Sequence, residues 1–331
     1  MLAAVHRAVN GHAASSLRLE SRVSIRRRLS IVHWYIALLY GLLRLAGLLP
    51  LRALHAAGAA LGWVLGRVDN PLRRKAERTL SYVKTQFGAQ TCQEFIRESL
   101  LEAGKSFTEI AKIWTGDPRA NLSLIRAVYG GELFDAALAA GRGLIVAAPH
   151  LGCWELLNYW LCSRTPIAIA YRPPRRAELE PLLVRARGGL AAEQVRAEGA
   201  AGVRALFKRL NAGGVVGILP DQQPKQGEGE FAPFFGSDAL TMVLLSRLAQ
   251  RSGATVLFAF VERLPRAQGY ALHFLPAAAD IADPELPRAV AALNRGIEEC
   301  VRLAPLQYQW HYKRYSIRPK DELAAARLEN S

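Results

Sequence analysis

The chain has 331 residues, 51% of them hydrophobic and 21% charged, which excludes a disordered protein and leaves enough apolar material for a large core. A formal charge of +15 at pH 7 calls for an acidic partner, and charge alone leaves open nucleic acid, an anionic membrane surface or an acidic carrier. The cysteines Cys92, Cys153, Cys162 and Cys300 have neither metal-site spacing nor the density of a disulfide scaffold, so reduced thiols and a cytosol-facing body are expected.

Residues 1–30 are rich in arginine and serine and almost free of acid, the composition of a basic leader without fixed structure. The stretch Ile31 to Leu49, ending at Pro50, is apolar but for His33 and Arg44 and predicts a membrane-anchoring helix; Leu51 to Arg67 predicts an interfacial one, so 31–67 forms an anchoring unit. Arg26, Arg27 and Arg28 favour a cytoplasmic amino terminus, and the thiols favour a cytoplasmic body. Both hold if the helix lies in the membrane interface, and a full span stays open beside that.

A basic helix is expected from Asn70-Pro71 to Phe87, with Arg73, Arg74, Lys75 and Arg78 either solvated or against lipid phosphates. A second, from about Thr91 to Trp114, carries the apolar spacing of a helix that covers a sheet. From Gly143 onward, apolar runs at 144–148, 167–171, 215–219, 255–261 and 270–275 alternate with helical stretches at 154–161, 179–187, 202–211, 239–251 and 286–303. That alternation predicts one α/β domain over 68–319, a mixed central sheet flanked by helices, followed by a tail at 320–331.

The chemistry is expected where strands end. Pro149 withdraws an N–H and closes the run 144–148, leaving His150 at the carboxyl end of a buried strand, the edge where open α/β sheets bind ligands. Glu155 follows about one and a half helical turns on, where a carboxylate can hold one imidazole nitrogen and leave the other free as a base. Tyr171-Arg172-Pro173 and Leu219-Pro220-Asp221-Gln222 close two further strands, so polar groups converge on one edge.

Arg172 and Arg187 have the guanidinium forks that grip phosphate. Asp221 reads either as a turn residue or as the partner of a pocket arginine. Cys153 is a weaker nucleophile candidate because no second base accompanies it, and His150 with Glu155 lacks a third zinc ligand. The run Gln309 to Tyr315 interleaves aromatics with cations, which suits a surface anchor better than nucleic-acid stacking, since no binding-module pattern surrounds it.

In order and spacing, His150-Leu-Gly-Cys-Trp-Glu155, Tyr171-Arg172-Pro173, Leu219-Pro220-Asp221-Gln222, Phe234-Phe235-Gly236 with Thr241, and Gln309-Trp310-His311 through Arg314-Tyr315 resemble the late acyltransferases of lipid A biosynthesis, over about Ile31 to Pro319. The resemblance implies a membrane-bound enzyme that moves a fatty acyl chain from acyl carrier protein to a hydroxyl of a lipid A precursor, at the cytoplasmic face of the inner membrane. No metal and no cofactor are expected. His150 would be the base and Glu155 its orienting partner, with Arg172, Arg187, Asp221 and Gln222 toward the substrates. An acyltransferase for another glycolipid or an amino-acid lipid, and a non-enzymatic basic membrane scaffold, are the competing readings.

Overall fold

The computed structural model describes residues 34–87, 92–171, 180, 192–197 and 199–319. The expected leader, the tail, Arg172, Arg187 and nearly all of the helix expected at 179–187 lie outside the described residues.

The chain opens with α1 (Trp34–Gly47), α2 (Leu51–Leu65), α3 (Pro71–Phe87), α4 (Cys92–Thr115) and the short α5 (Pro118–Leu122). The sheet domain then runs β1 (Ile125–Tyr129), α6 (Gly131–Ala139), β2 (Leu144–Ala147), α7 (Trp154–Arg164), β3 (Ile167–Tyr171), β4 (Ala192–Arg196), α8 (Gly199–Asn211) and β5 (Val215–Ile218). A hairpin of β6 (Gly229–Phe234) and β7 (Ser237–Met242) precedes α9 (Leu244–Ser252), β8 (Thr255–Arg263), β9 (Tyr270–Pro276) and α10 (Leu286–Leu303).

Seven strands form one mixed sheet in the order β1-β9-β8-β2-β5-β3-β4. β2 sits at its centre, parallel to both β5 and β8, while β9 runs antiparallel to β8. Successive side chains of β2 serve opposite layers, as a strand's two-residue period requires. Leu144 and Val146 join the core under α6 and α7, and Ile145 and Ala147 join the core under α8, α9 and α10. Burial on both faces explains why the strand reads as an unbroken apolar run.

Three expectations are corrected. β1 and β4 were not anticipated, because they are the edge strands and need little apolar pattern; in β4 only Val195 is buried. The helix expected over 239–251 begins at Leu244, since Ser237–Met242 pairs with β6 across a two-residue turn, Phe235-Gly236, in which both residues have positive φ. The segment Gln309 to Tyr315 is no surface anchor: Trp310 and Arg314 are almost wholly buried.

The segment expected to anchor the chain takes a bent form. Among the described residues no single helix is long and apolar enough to cross a membrane; α1 and α2 pass that test only together, and they meet at 116°. Pro50 disfavours helical geometry at Leu49 and so places the break. α1 exposes Trp34, Tyr35, Leu38, Leu42 and Leu45, and α2 exposes Trp63 and Val64. The opposite side of α2 lies directly on α4, where a Cβ on Gly104 would come within 2.0 Å of the Gly58 carbonyl oxygen, so the two backbones touch through glycine.

Candidate active site

Parallel pairing sets the site. Ala147 and Ile218 are register partners at the ends of β2 and β5, and His150 and Asp221 each follow three residues later, so the two side chains emerge side by side at the carboxyl edge of the sheet. His150 Nδ1 lies 2.7 Å from Asp221 Oδ1, and the His150 backbone N–H donates to Oδ2 at 2.8 Å. Both groups are buried, at 8% and 3% exposure. Burial by itself would raise the Asp221 carboxyl, but the His150 charge, hydrogen bonds from its ring and backbone, and the nearby Arg314 bring it below the usual aspartate range.

The imidazole is thus fixed with Nδ1 on the carboxylate. Its Nε2 faces the Gln222 side-chain amide at 3.0 Å. The expectation that Glu155 would hold the ring is therefore replaced: Asp221 and Gln222 occupy the two ring nitrogens. Glu155 is buried in the first turn of α7, at the end of the helix dipole that favours negative charge. Asp221, expected as a turn residue or an arginine's partner, is instead the partner of the histidine.

The turn between β2 and α7 is held on every side. Leu151 bridges Tyr308, Gly152 N donates to Gln307 O at 3.2 Å, and Cys153 N donates to Val261 O at 2.8 Å. Gly152 has φ +62°, and a Cβ there would lie 1.9 Å from Val261 O, so only glycine fits. Beneath the turn, Arg263 Nη2 donates to Gly152 O at 2.9 Å while its guanidinium pairs with the Glu109 carboxylate. Burial would raise that carboxyl, but Arg263 and the hydrogen bonds from His55 and Arg263 hold it at about 2. Cys153 is buried beside this pair, and its thiol is pushed well above the usual range by burial and by Glu109, which makes it a poor nucleophile.

His150 and Gln222 open onto a cavity of about 570 Å³, within the range of small-ligand sites. Phe207 and Val203 of α8, Leu244 and Leu248 of α9, and Met242 give it apolar walls, and Arg204, Arg247 and Arg251 lie along its rim. Asn158 also lines it; buried and without a hydrogen-bond partner among the described residues, it is a site residue that sequence reasoning passed over. Trp154 was likewise unremarked, although its ring packs 5.2 Å from that of His150. Among the described residues no three His, Cys, Asp or Glu side chains converge to hold a metal ion.

Comparison with known proteins finds a family match. The family model described as bacterial lipid A biosynthesis acyltransferase matches residues 24–316. The chain is 24% identical over 289 residues to the lipid A biosynthesis lauroyltransferase of Escherichia coli strain K12, covering 87% of this chain and 93% of that relative. It is 27% identical over 270 residues to the lipid A biosynthesis palmitoleoyltransferase of the same organism, covering 79% and 86%. A phosphatidylinositol mannoside acyltransferase of Mycobacterium tuberculosis is 30% identical over 168 residues, covering 48% of this chain and 51% of the relative.

Proposed function

Since the chain belongs to the bacterial lipid A biosynthesis acyltransferase family, we propose that it transfers a fatty acyl group from an acyl carrier protein thioester to a hydroxyl of a lipid A precursor, with His150 as general base. The observation that carries this reading is the 2.7 Å contact of Asp221 with His150 Nδ1, which leaves Nε2 at the head of an apolar cavity. Nε2 takes the hydroxyl proton as the oxygen attacks the thioester carbonyl. The proton then goes to the departing thiolate as the C–S bond breaks, and no acyl-enzyme forms. A base in this position contributes about 10²–10⁴-fold.

Asp221 keeps the proton on Nδ1 and stabilises the imidazolium, as the carboxylate of a serine-hydrolase triad does. The N–H groups of Leu151, Gly152 and Cys153 are already donated within the protein, so we assign the oxyanion to the Gln222 amide, which has a second N–H beside the one that faces Nε2 at 3.0 Å. Arg172 and Arg187 keep their proposed role at substrate phosphates.

The +15 charge supports recognition of an acidic carrier. The exposed aromatic and aliphatic side chains of α1 and α2 support seating in a membrane interface, with the catalytic domain on the cytoplasmic face of the inner membrane. Mass spectrometry of lipid A from cells with and without the protein tests the function. One acyl chain fewer in its absence is expected, and an unchanged lipid A would refute the assignment. A change confined to another glycolipid would favour the second reading, which the similarity to the phosphatidylinositol mannoside acyltransferase supports.

A further inference from the structure

A second, smaller cavity of about 190 Å³ lies beside the catalytic histidine, between α4 and the carboxyl-terminal segment. Phe107 and Ile110 of α4, Trp154, Gln309 and His311 line it. It lies next to His150 without being lined by it: Trp154 stands between the cavity and the His150 ring, and Gln309 N donates to the His150 backbone carbonyl at 3.1 Å. Phe107 is 69% exposed, an aromatic left in contact with whatever surrounds the protein on this side.

His311 has no hydrogen-bond partner among the described residues, although a half-buried imidazole offers one donor and one acceptor when neutral. Burial, with the charges of Lys75 and His150, lowers its titration to about 4, so it is neutral near pH 7. Lys75 is exposed on α3 and has no ion-pair partner among the described residues, whereas its neighbours Arg73 and Arg74 are paired with Glu77 and Asp69. Thr79 fastens α3 to this segment by donating to Tyr312 O at 3.0 Å.

Two substrates have to meet at Nε2, and the larger cavity, with its apolar walls, suits an acyl chain. We propose that the smaller cavity is the acceptor subsite, where His311 hydrogen-bonds a polar group of a glycolipid headgroup and Lys75 takes its phosphate. The acceptor's own chains leave past Phe107. This assignment rests on the acyltransferase reading above and adds to it where the acceptor binds and what recognises it.

The test uses the full-length variants His311→Ala, His311→Asn and Lys75→Gln. KM is measured for a glycolipid acceptor with and without its phosphates and for the thioester donor, and equilibrium binding of the same glycolipids in detergent micelles is measured on the His150→Ala protein and on its double variants. Loss of one hydrogen bond or one charge contact at the acceptor predicts a rise of about tenfold in acceptor KM and Kd, with donor KM unchanged. His311→Asn should recover part of that loss, and Lys75→Gln should affect the phosphorylated acceptor alone. Unchanged acceptor constants, or equal changes for donor and acceptor, would overturn the subsite. If the wild-type protein transfers no acyl group, the catalytic reading falls, while the binding measurement still decides the subsite.

Discussion

Asp221 touches His150 at both ring and backbone, and its replacement separates orientation from binding. Asparagine preserves shape but can present an N–H to Nδ1, which would put the imidazole proton on Nε2 and remove the base. Asp221→Asn is therefore expected to lower kcat by about 10³–10⁴-fold with acceptor KM little changed, by steady-state kinetics. Gln222→Leu removes the oxyanion donor and should cost about 10²–10³-fold in kcat. Cys153→Ala should stay active, since a buried thiol held this far above its usual range carries no reacting role. His150 and Asp221 were legible in the sequence as polar residues closing apolar runs. Their pairing was not, because it depends on β2 and β5 lying side by side while the two groups stand 71 positions apart in the chain. A carboxylate five positions away looked the nearer partner only along the chain.

At the level of elements, the turn that carries His150 depends on contacts from β8, α4 and the carboxyl-terminal segment. Arg263→Ala would leave Glu109 buried without its guanidinium and the Gly152 carbonyl without its donor. Removing one member of a buried pair costs about 3–5 kcal/mol, which urea unfolding would register together with a loss of activity. The central strands and α7 to α10 could be read from apolar runs because they are buried on both faces or along one stripe. Edge strands β1 and β4 lack that pattern, and β7 was mistaken for helix because Ala239, Leu240 and Met242 lead straight into α9. What sets that boundary is the positive-φ turn at Phe235-Gly236, a property of three-dimensional pairing with β6.

The molecule as a whole presents a strongly cationic body and an apolar bent helix pair. Activity with acyl carrier protein should fall more steeply with salt than activity with a small thioester, because only the charged carrier is steered over a Debye length of about 8 Å at physiological strength; equal slopes would remove the steering argument. Acid stability follows from Glu109. Its carboxyl titrates at about 2 against an ordinary 4.5, so its contribution is present in full above that ordinary value and is lost as pH falls from there toward 2. Thermal unfolding at several pH values should show a falling midpoint across that window, and a smaller fall in Glu109→Gln. The direct measurement of the central claim is acyl transfer in a defined mixture of purified protein, acyl carrier protein thioester and lipid A precursor, read by mass spectrometry for the wild-type and His150→Ala proteins. The wild type should add one acyl chain to the precursor, and the equally folded His150→Ala protein essentially none. Transfer at wild-type rate by His150→Ala would contradict the assignment of His150 as the base.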